Sequence, residues 1–199
     1  MKSTLPIVLV TAGLTLGSTL TVQYFTYRWG ISSQIQINIT EKRRQALGDL
    51  WGRKVLAKEL LLSSVTAEVL YYYYGSKWKN DGLRKDSINY QEYQHWRVKY
   101  EDLLLETIKS RQGLFETIGL IGVLFPNTPK LNELLERAYY VKAPMISEPP
   151  GVTDEKEIQK WKQGAVEGAA RFVDAEFEKP IADLLNYLKG EITKDAKNP

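Results

Sequence analysis

Residues Leu5 to Tyr27 (LPIVLVTAGLTLGSTLTVQYFTY) pass without a single Lys, Arg, Asp or Glu. At ~1.5 Å of rise per residue, a helix of that run is about 34 Å long, enough to cross a hydrocarbon core of roughly 30 Å. The run therefore predicts a single transmembrane anchor over residues 1–30. Leu5, Ile7, Leu9, Leu14, Leu16 and Leu20 would lie in the apolar layer. Tyr24, Phe25 and Trp29 would sit at headgroup level, where amphipathic rings collect.

Two other readings compete. A cleaved signal peptide wants a basic start, a shorter apolar stretch and a small-residue cleavage site. Only Lys2 precedes this run, although Gly17-Ser18-Thr19 resembles a cleavage site. A buried core helix is the other, and core helices rarely stay uncharged for so long. Thr11, Thr15, Thr19, Thr21 and Thr26 dilute the leucines, but a Thr hydroxyl can bond back to its own helix. Pro6 falls in the first turn, where its missing N–H costs little. Gly13 and Gly17 form a G-x-x-x-G, a candidate seam for pairing two such helices.

Charge orients the anchor. Arg28, Lys42, Arg43 and Arg44 follow it, against Lys2 before it, which predicts a cytoplasmic body. From Arg28 to Lys58 seven Lys/Arg face Glu41 and Asp49, so this stretch carries +5 while the whole chain carries +3. The basic excess borders the expected bilayer, where anionic lipid attracts cations. Membrane lipids are thus the first expected partner, and nucleic acid is not one, because no recognised motif accompanies the basic stretch. The chain has no Cys, so it can form neither a disulfide framework, a thiolate nucleophile nor a Cys-based zinc site.

The body, residues 31–190, reads as all-α: an antiparallel bundle of about four main helices, followed by a frayed polar tail over 191–199. Gly30 is expected to break anchor from body, and Ile31 to Thr40 reads as a linker turning helical. A first long helix spans Glu41 to about Tyr74, with Gly75 and Asn80-Asp81-Gly82 ending it. A second runs from Ser87 or Asn89 to Phe125, where Pro126 and Pro129 stop it. A short helix covers Lys130 to Lys142. Three prolines make 143–152 a connector. Asp154-x-x-Glu157 opens the last helix, with Thr153 as a rival cap. Gly164 and Gly168 hint at close helix–helix approach within it, and Pro180 is expected to kink or restart it.

Tyr71, Tyr72, Tyr73, Tyr74 and Trp78 are the candidate partner surface: successive helical residues point about 100° apart, so four tyrosines cannot all enter one core. Arg28, Lys42, Arg43, Arg44, Leu120, Ile121 and Phe125 are the candidate membrane-surface contact, since 113–125 holds only Glu116 as a charge. Catalytic patterns are weak. His95 is the single histidine and lies in an E-x-x-H, too little for a di-metal helical centre. Glu59, Glu68, Glu101, Asp102 and Glu106 read as surface salt-bridge partners. No phosphate-cradling glycine loop is present. No metal, no cofactor and no enzymatic activity are expected. The chain reads as a single-pass scaffold or assembly module that binds a protein partner or a second copy. The alternatives are a ligand-sensing bundle, with a pocket near Trp96, Tyr100 and Trp161, or a lipid-surface protein.

Overall fold

A computed structural model describes the backbone of residues 5–149, 151 and 154–197, and the side chains of 22–149, 151 and 154–194. Among the described residues there is no strand. The helices are α1 (Leu5–Asn80), α2 (Ile88–Leu124), α3 (Pro129–Tyr139) and α4 (Glu155–Phe172), which passes through a π turn (Val173–Glu178) into α5 (Lys179–Lys197). By internal packing the chain divides into Met1–Lys42 and Arg43–Pro199.

The first unit is helical backbone from Leu5 onward. Gly30 does not break it, and Ile31 to Thr40 is neither linker nor strand. A side chain at Gly30 would meet nothing, so the glycine is neither required for a turn nor pinned by a neighbour. Thr26 donates to the carbonyl of Val22 at 2.8 Å and Ser33 to that of Trp29 at 2.7 Å, so these hydroxyls are satisfied inside their own helix. Every described side chain from Val22 to Asn38 is exposed, including Tyr24, Phe25 and Trp29, the last at 76%. The side chains of Leu5, Ile7, Leu9, Gly13, Leu14, Leu16, Gly17 and Leu20 lie outside the described residues. Among the described residues no helix is long and apolar enough to cross a membrane.

The second unit is the bundle. α1 ends where the sequence places the turn: Gly82 and Leu83 adopt positive φ (70° and 61°), and the Leu83 N–H returns to the carbonyl of Trp78. Gly75, expected as part of that stop, sits inside the helix and is buried. A methyl group there would lie 3.2 Å from the Tyr93 ring, so the glycine permits a close crossing of α1 and α2. Ser87 caps α2 by accepting from the Tyr90 N–H, Thr128 caps α3 ahead of Pro129, and Asp154 caps α4 through the Lys156 N–H. Thr153, the rival cap, lies outside the described residues.

One core holds most of the unit together. Leu50, Ala57 and Leu61 of α1 meet Leu114, Ile118 and Ile121 of α2, Leu131 and Leu134 of α3, and Ile181, Leu184 and Leu188 of α5. A smaller cluster joins Val65 and Val69 to Ala169, with Ile146 and Trp161 against it. The tail expected to fray is instead helical to Lys197, and Ile192 packs into the main core.

The helix restarts at Pro180, the second residue of α5, after the π turn over Val173–Glu178. Core positions Ala165, Ala169, Val173, Phe177 and Ile181 recur every four residues. A regular α-helix turns ~100° per residue, so each four-residue step drifts ~40° from the core. Widening one turn to π spacing cancels that drift and keeps Val173 and Phe177 fully buried. The Lys179 N–H accordingly reaches back five residues to the carbonyl of Asp174, just before the proline that offers no N–H.

Candidate functional site

The tyrosine run does not form the expected open surface. Tyr73 is buried, and Tyr71, Tyr72, Tyr74 and Trp78 are half-buried. The antiparallel α2 brings Tyr90, Tyr93 and Tyr100 against them. Tyr71 stacks on Tyr93 with centroids 5.0 Å apart, and Trp78 lies 4.8 Å from Tyr90. Aromatic pairs at this spacing add cohesion beyond their buried area. Tyr73 turns toward α4, where the Lys162 ammonium sits 4.5 Å from its ring centroid. These rings staple α1 to α2 and α4. Successive tyrosines do diverge around the helix, but neighbouring helices on two sides absorb those that one core cannot.

Electrostatics in this cluster follow from the burial. The Tyr71 hydroxyl, 3.3 Å from that of Tyr93, is pushed up to about 12 by that hydrogen bond and by desolvation. Glu68, expected at the surface, is half-buried, and desolvation raises its carboxyl above the ordinary range despite a hydrogen bond with Tyr100. Glu59, Glu101, Asp102 and Glu106 are exposed, as expected, and Glu101 faces Arg97 at 3.7 Å. Glu92 accepts the Trp96 indole N–H at 3.2 Å, and His95 rests edge-on against Trp96. Among the described residues no group of three or more His, Asp or Glu is placed to hold a metal ion.

The candidate membrane-surface set divides. Ile121 and Phe125 are core residues, a correction to their expected role, because α3 and α5 cover that face of α2. Leu120 is exposed, and Val123, absent from the expected set, is more so at 82%. Arg28, Lys42 and Arg44 are exposed. Arg43 is partly buried: its Nε donates to the carbonyl of Leu124 at 2.8 Å, and the guanidinium lies 5.2 Å from the Phe125 centroid. It therefore caps α2.

Three features escaped the sequence reading. Lys54, only 5% exposed, donates to Glu178 at 3.0 Å, while Lys58 bonds both Asp174 and Glu178, so two turns of α1 grip the π turn. Spacing in sequence could not pair groups so far apart. The second feature is an exposed apolar row on α2, Val98, Leu105 and Ile108, beside Leu104. Its seven- and three-residue steps are helical, but nothing in the sequence says which stripe of α2 is left uncovered.

The third is a groove of about 690 Å³ between the connector Lys142–Ser147 and α4. Trp161 and Phe172 stand along its α4 side, and Gly164, Ala165, Gly168 and Ala169 lie between them. Among the described residues the expected close helix–helix approach at Gly164 and Gly168 does not occur: a side chain at either would meet nothing within 4 Å. Of the aromatic residues expected near a pocket, Trp161 lines the groove, and Trp96 and Tyr100 do not. No family model matches this chain, and no curated protein or solved structure is significantly similar to it.

Proposed function

We propose that this chain is a single-pass membrane-anchored helical bundle that serves as a protein-interaction module, a scaffold or assembly factor, and not as an enzyme. The observation that carries the reading is the exposure of Val22, Tyr24, Phe25, Tyr27, Trp29 and Ile31 on one helical segment. Exposed apolar area of that extent marks a surface that something else covers. The charge-free run Leu5–Tyr27 continues it, and a bilayer is the cover that suits both. The cations after the run favour a cytoplasmic bundle.

Val98, Leu104, Leu105 and Ile108 replace the tyrosine run as the proposed partner surface, because they are exposed apolar side chains close together along α2 on neighbouring faces. Full-length protein is expected to stay with membranes through alkaline carbonate extraction, and a chain lacking residues 1–27 to be released. Release of the full-length protein would defeat the anchor. A photo-crosslinking amino acid at Leu105 is expected to capture a discrete protein or a second copy in native membranes. Adducts to lipid alone would defeat the interaction role.

A further inference from the structure

We propose that the groove between the Lys142–Ser147 connector and α4 binds a single-chain amphiphile with one anionic headgroup. Its volume of about 690 Å³ falls inside the roughly 300–1,000 Å³ of small-molecule sites, which are mostly apolar with a few polar groups. Trp161, Phe172, Ile146 and Met145 supply apolar contact along its length. Pro144 has no N–H to offer, so that part of the connector wall presents no unpaired donor to an acyl chain.

Shape limits the occupant. A helix with its side chains is about 10 Å across and needs an open face. Here the connector Lys142–Ser147 forms one flank of the groove and α4 the other. An extended hydrocarbon chain can lie between the walls, and the two glycines leave it a floor without side chains.

Charge selects the head. Among the described residues Lys142 is the single charged one lining the groove, and no Asp or Glu does so. It is exposed and makes no ion pair among the described residues. A carboxylate or similar anion would find a partner there, and a cationic head would be repelled. Ser147, also on the connector, offers a hydroxyl donor. Every residue of the groove belongs to the bundle, so binding there is independent of the membrane anchor.

The chain contains two methionines, Met1 and Met145, and Met145 stands at the lip of the groove, 95% exposed. Methyl-labelled full-length protein in phosphatidylcholine nanodiscs therefore carries one reporter at the site and one far from it in sequence. Titration with decanoate below its micellar concentration is expected to shift the Met145 methyl signal saturably and leave Met1 unchanged. Gly164→Leu and Gly168→Leu should abolish the shift by filling the groove, and Lys142→Gln should weaken binding on the order of tenfold. Decanol should bind the wild type about as weakly as decanoate binds Lys142→Gln. A static Met145 signal, or Met1 and Met145 moving together, would overturn the site. Equal affinity for decanoate and decanol would overturn the anionic class. A Met145 shift on dilution without ligand would assign the groove to a second copy and overturn the proposal.

Discussion

Lys54 carries a charge at a position only 5% exposed, where an unpaired ammonium would be costly. Glu178 is its partner at 3.0 Å and is shared with Lys58. Hydrogen bonds from Lys58 and Lys54 hold the Glu178 carboxyl below its ordinary value of 4.5, and those to Glu178 and Asp174 hold Lys58 above 10.5. The stabilisation from Glu178 is thus complete above pH 4.5 and fades as pH falls through the lowered value; that from Lys58 is complete below pH 10.5 and fades as pH rises through the raised one. Glu178→Gln is expected to cost about 1–3 kcal/mol near neutral pH, because it leaves a buried cation poorly compensated. Thermal melts should show the gap from wild type closing in acid. Glu68 behaves oppositely: its raised carboxyl favours the protonated form, so stability is lost as pH rises through that raised value. Glu68→Gln should melt higher than wild type at neutral pH and match it in acid. A melt no higher at neutral pH would show that Tyr100 and solvent already satisfy the carboxylate. At this scale little of the site was legible. Residue types were visible, but the Lys54–Glu178 pairing joins the first body helix to the last, and no local spacing encodes it.

Local chemistry wrote the elements more plainly. Ser87, Thr128 and Asp154 cap the helices that follow them, and Asp81-Gly82 makes the turn, because caps and turns act over three or four residues. Gly30 and Gly75 fail to break α1 for one reason: glycine lowers helix propensity by only ~1 kcal/mol, which neighbouring helix formers or a packed ring can outweigh. The π turn was encoded too, in the four-residue recurrence from Ala165 to Ile181, although Pro180 is the more conspicuous signal there. Phe177→Ala should remove a fully buried ring from that turn and cost roughly 3–5 kcal/mol, seen as a large drop in melting temperature. Gly75→Val should crowd the Tyr93 ring and cost about 1–3 kcal/mol, measurable by chemical denaturation.

For the whole molecule, both apolar clusters lie within Arg43–Pro199, and composition alone was enough to show a chain with a core of that size. Residues 43–199 expressed alone are expected to melt cooperatively with helical circular dichroism; a non-cooperative melt would show that the core needs the preceding segment. The all-α class was legible from helical periodicity. Which faces stay open was not, because exposure depends on where the other helices land. The order of elements has a consequence for synthesis. Leu50, Ala57 and Leu61 are made at least 120 residues before much of their cover, Ile181, Leu184 and Leu188. The ion pair from Lys54 to Glu178 likewise waits for a residue 124 positions downstream. A growing chain on the ribosome therefore carries an incompletely covered apolar stripe until those residues emerge, the interval in which chaperones or premature association with a neighbouring nascent chain would act on it.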